Sequence, residues 1–118
     1  MFSDFIPLTV NQAATSLYDL ISPGSYLATT VGRTSWLNLL EGIETTPNCN
    51  REGFNAVQPY SKMRIGLAMN QEANCDSCDH MLGFGNESPG THPWGAWAAV
   101  GGGTAGSNTQ AYGWIMVR

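Results

Sequence analysis

The chain has 118 residues, a length that corresponds to one domain with a hydrophobic core of its own. Apolar residues make up 42% and charged residues only 12%, which excludes both a disordered chain and a helical bundle with a charged exterior. The net charge is −4, and the few basic residues are scattered, so we expect binding to neither nucleic acid nor an anionic membrane, because both require clustered cations.

The first part of the chain consists of short apolar segments separated by turn signals. Phe5–Val10 is predicted as an edge strand, because Pro7 is tolerated in a sheet only at an edge or a bulge. The spacing of apolar residues in Ala13–Ile21 is compatible with either a short helix or a strand. Ser22–Ser25 has the Pro-Gly pair of a turn, and the β-branched and aromatic content of Tyr26–Val31 predicts a strand.

The remaining elements predict a β-rich fold. Ser35–Leu40 is an apolar run, and a polar loop from Glu41 to Gly53 follows it. The further predicted strands are Phe54–Val57, Arg64–Met69, Met81–Gly85 and Ala111–Val117. We therefore predict one all-β domain over residues 1–118, an antiparallel, jelly-roll-like β-sandwich with long Gly-rich loops and at most one short helix.

Two of the three cysteines lie in a polar loop between two predicted strands. Cys75 and Cys78 are separated by two residues, and Cys49 lies upstream. Three arrangements remain open: a disulfide from Cys49 to either loop cysteine, a Cys75–Cys78 bridge, or a zinc site that adds Cys49 and His80. The flanking segments resemble strands and not the βαβ context of a redox motif, so a disulfide is favoured.

The same loop contains oxygen ligands of the kind that calcium takes. Asp76, Asp79 and Asn74, together with Glu72, are candidate calcium ligands, because calcium binds six to eight oxygens. Their spacing does not match an EF-hand loop. The alternative is that the aspartates form Asx-turns that shape the loop.

The Gly-rich segment near the C-terminus contains candidate ligand-binding residues. Trp94 and Trp97, with His92 nearby, form a candidate aromatic platform for a sugar ring, while the alternative is that the tryptophans fill the core. Asn86 begins an Asn-Glu-Ser sequon, so it is a candidate glycosylation site. The sequence contains none of the common hydrolase, metalloprotease or P-loop motifs, so we do not expect an enzyme.

From Arg64 onward the chain resembles a domain found in secreted proteins of corals and other marine invertebrates, some of them skeletal organic matrix proteins. The resemblance rests on R-I-G at Arg64–Gly66, the Asn-rich link that follows, C-x-S-C-D at Cys75–Asp79, L-G-F-G at Leu82–Gly85, and a terminal strand of the G-aromatic-I-x-V kind that begins at Gly113. Upstream, Cys49 followed by Gly53–Asn55 is also similar. The resemblance implies an extracellular matrix or adhesion module and supplies no catalytic residue.

These observations lead to one expected function and one alternative. We expect a secreted, non-catalytic module for extracellular matrix binding, cell adhesion or carbohydrate binding. Its partners would be a glycan or a matrix protein, and exchange of terminal strands would give a homo-oligomer or filament. The alternative is a receptor-binding tip domain of a viral or phage fibre. The first ten residues lack the features of a signal peptide, and no apolar run is long enough to cross a bilayer.

Overall fold

The computed structural model describes residues 5–39, 45–58, 61–76, 78–85, 98–102, 107–111 and 115–116. Two short helices and six strands follow one another along these residues: α1 (Leu17–Ile21), β1 (Leu27–Ala28), α2 (Arg33–Leu37), β2 (Asn48–Gln58), β3 (Ser61–Asn70), β4 (His80–Phe84), β5 (Ala98–Gly102) and β6 (Ser107–Ala111). Within the described residues, no helix is long and apolar enough to cross a bilayer.

The strands form one antiparallel meander, in which each strand pairs with the next along the chain. The strands β1 to β4 contain the described core, and β5 and β6 continue the sheet beyond β4. The central pair, β2 and β3, joins Phe54 to Ile65 and Glu52 to Leu67. The fold is thus mostly β and antiparallel, as predicted.

Apolar side chains are buried on both faces of this sheet. Leu67 and Ala68 are consecutive residues of β3, so their side chains point to opposite faces, yet both are almost completely buried. The face of Leu67 packs with Trp36 of α2 and Leu20 of α1. Ala68, on the opposite face, belongs to a smaller cluster. The other buried members of that cluster are Ala56, Met63 and Met81. Burial on both faces explains why β3 reads as a continuous apolar run rather than an alternating one.

A row of glycines crosses the three strands β2, β3 and β4. Gly53 lies opposite Gly66, and Gly66 lies opposite Gly83 on the next strand. A Cβ atom on Gly66 would overlap the carbonyl oxygen of Leu82 and lie 2.8 Å from the Cα atom of Gly83. The backbone of β4 therefore leaves no room for a side chain at this position.

We expect Gly66→Ala to lower the free energy of unfolding by about 2 to 3 kcal/mol, the upper range for overpacking a close-packed site. Gly24→Ala is the control, because Gly24 has a positive φ of 80° but no atom within 4 Å of a new Cβ. The control should cost only about 1 kcal/mol, from the backbone conformation alone. Urea unfolding of both variants measures the difference. Equal losses would show that close approach of β4 does not determine the glycine at position 66.

The first part of the chain differs from its predicted structure. Residues 5–10 have alternating exposure, as an extended chain has, but belong to no strand of the sheet. The segment Ala13–Ile21 contains helix α1, and the apolar run Ser35–Leu40 overlaps helix α2, so the prediction of at most one helix is wrong. The Ser22–Ser25 turn is confirmed, with Gly24 at φ 80° accepting its positive dihedral angle.

The sheet also differs in its extent. The predicted polar loop Glu41–Gly53 is wrong in its second part, because β2 begins at Asn48 and continues to Gln58. Of the predicted terminal strand Ala111–Val117, Ala111 ends β6, while residues 115–116 are not in a strand. A sandwich is not confirmed, because the described strands form a single open sheet.

Candidate functional site

A disulfide joins the start of β2 to the loop between β3 and β4. The Sγ atoms of Cys49 and Cys75 are bonded, with a separation of 26 residues along the chain. Cys49 and the next residue, Asn50, both have positive φ and lie where the register between β2 and β3 shifts. This β-bulge bends the strand at the point where the bridge begins. We call residues 71–79 the bridged loop.

Side-chain hydrogen bonds shape the bridged loop from within. Asn70 is fully buried, and its Nδ2 donates to the carbonyl oxygen of Asn74 at 2.9 Å. The Oδ1 of Asn74 accepts from the backbone N–H of Asp76 at 3.0 Å, which is an Asx-turn. The Oδ2 of Asp79 accepts from the backbone N–H of Gln71 at 2.8 Å and closes the base of the loop.

The bridged loop is also tied to the neighbouring strand by a second contact besides the disulfide. The Nδ2 of Asn48, on β2, donates to the carbonyl oxygen of Gln71 at 2.6 Å. With its backbone fixed in this way, the loop exposes the side chains of Gln71, Glu72 and Asp76. The result is an ordered polar surface at one end of the sheet, with amide and carboxylate groups available to hydrogen-bond a ligand.

A second polar centre is formed by the carboxylate of Glu52, which lies on β2 beneath α2. Its Oε2 accepts hydrogen bonds from Thr29 Oγ1 at 2.8 Å, the Val31 N–H at 3.1 Å and Trp36 Nε1 at 2.7 Å. Its Oε1 accepts from the Gly32 N–H at 2.9 Å. Both oxygens are thus occupied by donors from the segment that precedes and forms α2.

These donors determine the ionisation of Glu52. Burial by itself raises the pKa of the carboxyl group, but the hydrogen bonds from Trp36, Gly32, Thr29 and Val31 favour the ionised form, and the pKa is lowered overall from its ordinary value of 4.5. The carboxylate holds α2 and the segment between β1 and α2 against β2. Because its oxygens already have partners within the chain, Glu52 has a structural role.

Asn55 makes a similar connection on the other side of β1. This residue is buried with a positive φ of 51°, and its Nδ2 donates to the carbonyl oxygens of Ile21 at 2.9 Å and Ser25 at 3.1 Å. Its Oδ1 accepts from Arg64 Nη1 at 2.8 Å. The end of α1 and the turn that follows are thus fixed to β2 and β3 by one amide group.

An open surface depression is lined in part by Phe5, Ile6, Pro7 and Thr9. Its volume is about 410 Å³, and its walls also include Thr30, Val31 and Ser35. The side chain of Phe5 at its rim is 80% exposed. Thr9, Thr30 and Ser35 add hydroxyl groups, and none of the lining residues is charged.

The structure distinguishes among the predicted arrangements of the cysteines. The Cys49–Cys75 disulfide is one of the pairings left open by the sequence, and it removes both thiols from the alternative zinc site with His80. Cys78 lies outside the bridge, half-buried against the cluster that contains Met63.

The predicted calcium ligands have internal roles in the bridged loop. Asn74 and Asp79 direct side-chain oxygens to backbone N–H groups, whereas the side chain of Asp76 is exposed. Among the described residues, no three His, Cys, Asp or Glu side chains are grouped as a metal site. Calcium binding by Asn74, Asp76 and Asp79 stays a prediction. The other predicted site residues, Asn86, His92, Trp94 and Trp97, lie outside the described residues.

Sequence reasoning did not identify Glu52 or Asn55 as structural centres. The donors to Glu52 come from residues 29–36, and the partners of Asn55 lie up to 34 positions away along the chain. Because these contacts join distant residues, no local sequence motif predicts them. The Gly53–Asn55 segment of the resemblance was the only available signal.

Comparisons with known proteins give no relative from which a role could be inferred: the sequence matches no family model, and it has no significant match among curated proteins or solved structures.

Proposed function

We propose that this domain is a secreted, non-catalytic binding module that recognises a glycan or a matrix glycoprotein through the exposed surface of the bridged loop. The observation that carries the proposal is the fixed backbone of residues 71–76, 78 and 79, held by the Cys49–Cys75 bridge and by internal side-chain hydrogen bonds. A loop that is already ordered loses little conformational entropy when it binds, so its polar side chains contribute more of their interaction energy to affinity.

The chemistry of the exposed side chains favours a sugar ligand. Gln71 offers both a donor and an acceptor, and the carboxylates of Glu72 and Asp76 accept hydrogen bonds from hydroxyl groups. A neutral or weakly basic glycan suits these groups better than a sulfated or phosphorylated one, because the two exposed carboxylates repel anions.

The role of Glu52 supports a binding function over a catalytic one. The pKa of Glu52 is lowered from its ordinary value, and a perturbed pKa often marks a candidate for catalysis. Its oxygens are bonded to donors of the same chain, so the perturbation has a structural cause.

The disulfide also helps to choose between an extracellular module and the alternative, a viral or phage fibre tip. A bridge between Cys49 and Cys75 in a small domain is compatible with an oxidising, extracellular setting. A viral or phage fibre tip that assembles inside a reducing cell would keep its cysteines as thiols, so the bridge favours the matrix module over this alternative.

Gln71→Ala is expected to weaken glycan binding by about tenfold, since it removes one exposed amide that makes direct hydrogen bonds to the ligand. A glycan array identifies the ligand, and isothermal titration then gives the dissociation constants. The matched control is Gln12→Ala, the same change at an exposed residue outside the bridged loop, which should leave the affinity unchanged. Absence of any glycan or glycoprotein ligand, or equal effects of the two variants, would contradict the proposed surface.

A further inference from the structure

Residues 5–10 have the side-chain pattern of a strand but pair with no strand that the structure describes. Ile6, Leu8 and Val10 are half-buried against the core cluster that contains Leu67, whereas Phe5, Pro7 and Thr9 are exposed. No backbone hydrogen bond joins these residues to any other part of the chain that the structure describes. A row of unpaired N–H and C=O groups in an extended segment is a template for pairing with another strand.

The single proline decides which edge of this segment can accept a partner. In an extended chain, successive N–H groups point to opposite edges, so Ile6, Leu8 and Val10 donate along one edge and their odd-numbered neighbours along the other. Pro7 has no N–H and interrupts the odd-numbered edge in its middle. The even-numbered edge retains a complete set of donors and acceptors.

We propose that a second copy of this chain pairs with its own residues 5–10 along the even-numbered edge, antiparallel and with a two-fold axis between the two Leu8 residues. In this register Leu8 faces Leu8 of the second copy, and Ile6 faces Val10 of the second copy. Each of these is a hydrogen-bonded pair in which both N–H···O bonds form. Pro7 lies opposite Thr9 of the second copy, in a non-hydrogen-bonded pair, so the missing N–H leaves no acceptor without a donor.

The side-chain pattern of residues 5–10 and their lack of charge favour a second copy of the chain as the partner. Antiparallel pairing about a two-fold axis needs a self-complementary sequence, and the alternation of apolar core-facing and exposed residues in 5–10 supplies it. None of these residues is charged, so two copies approach here without local repulsion, although each carries a net charge of −4. The Phe5 ring, 80% exposed in the single chain, gains a diagonal contact with Thr9 of the second copy.

The pairing does not disturb the rest of the fold. Residues that face each other in a sheet project to the same side, so the Leu8 side chains of both copies stay on the core side of the new ribbon. Each strand continues to cover its own domain, and the two domains lie side by side. The dimer would present two bridged loops. If both bind, the overall affinity for a ligand with repeated binding sites is higher than that of one loop.

Sedimentation equilibrium of the full chain over a range of concentrations, together with amide hydrogen exchange by NMR, tests this pairing. We expect a monomer–dimer equilibrium, with exchange at Ile6, Leu8 and Val10 slowing as the dimer forms while exchange at Thr9 does not change. Slower exchange at alternate residues would identify both the segment that pairs and the edge along which it pairs. The glycan titration described above is a separate measurement, so failure of one proposal does not decide the other.

Two proline variants provide the matched comparison. Val10→Pro removes an N–H that the register uses, at nearly constant side-chain volume, and should raise the dimer dissociation constant by about tenfold or more. Thr9→Pro removes an N–H that points away from the second copy and should leave the dissociation constant unchanged. Circular dichroism and the melting temperature confirm that both variants are folded. A monomer at every concentration, a dimer without slowed exchange at residues 6, 8 and 10, or equal effects of the two prolines would overturn the proposal.

Discussion

Glu52→Ala is expected to lower the free energy of unfolding by about 4 kcal/mol, the largest loss that we predict for a single side chain. The substitution removes the common acceptor of donors from Thr29, Val31, Gly32 and Trp36. Each donor left without a partner costs about 1 kcal/mol, a value at the low end because the site is only half-buried and water reaches part of it. Urea unfolding followed by tryptophan fluorescence measures the loss, since Trp36 itself reports on the site.

The exposed carboxylate of Glu72 provides the control for this substitution. Glu72→Ala removes the same charge from the bridged loop, where no described donor contacts the side chain, and should change stability by less than about 0.5 kcal/mol. A similar loss in both variants would mean that the hydrogen bonds to Glu52 do not stabilise α2 and β1.

The same carboxylate predicts how stability depends on pH. The pKa of Glu52 is lower in the folded state than its ordinary value of 4.5, so its contribution is fully present above about pH 4.5 and is lost as the pH falls through the folded-state pKa. Glu52→Gln keeps the shape of the side chain but does not titrate. Between pH 7 and pH 3, the parent protein should lose more stability than the Gln variant, and parallel curves would contradict the assignment.

Removal of the disulfide by Cys49→Ala and Cys75→Ala together is expected to cost about 3.5 kcal/mol. On the chain-entropy model, this is the effect of releasing a loop closed over 26 residues in the unfolded chain. Calorimetry or urea unfolding of the double variant measures it. We also expect faster amide exchange at the bridged loop, because of its two described side-chain links to β2 only the hydrogen bond from Asn48 would remain.

Cys78→Ala is the matched control for the disulfide variant. Cys78 lies outside the bridge and packs against the cluster that contains Met63, so we expect a cost of about 1 kcal/mol. If Cys78→Ala destabilised the protein as strongly as the double variant, the bridge would involve a different pair of cysteines.

The elements predicted best from the sequence are those determined by local signals. The two apolar runs around the bridged loop correspond to β3 and β4, because a short continuous apolar run bounded by turn signals is typical of a strand buried on both faces. The turn at Pro23 and Gly24 was also identified correctly, since a positive φ at glycine is a local property.

The elements that were missed depend on contacts between distant residues. The start of β2 is polar and reads as a loop, but pairing with β3, the bulge at Cys49 and Asn50, and the disulfide make it a strand. Helix α2 has a β-branched and aromatic sequence and no side-chain cap. Glu52, on another element, instead holds it by accepting from the N–H of its N-cap residue Gly32 and from Trp36 Nε1. Tertiary contacts override local propensity in both cases.

The residues that carry the resemblance to marine-invertebrate matrix domains have structural roles where the structure describes them. Cys49 and Cys75 form the bridge, Gly66 and Gly83 lie at the close approach of β3 and β4, and Asn55 bonds Arg64. The motif residues named here therefore hold the fold together. The proposed binding surface lies on side chains that the resemblance does not include, such as Gln71, which explains why the motifs predicted the framework better than the ligand.

The central claim is that an oxidised scaffold holds the bridged loop for recognition. Its most direct test is a peptide map of the protein isolated from its natural source and alkylated under denaturing conditions without reduction. Our account predicts a peptide containing Cys49 linked to one containing Cys75, with the alkyl group on Cys78 alone. Alkylation of all three cysteines, or a link between Cys75 and Cys78, would contradict it.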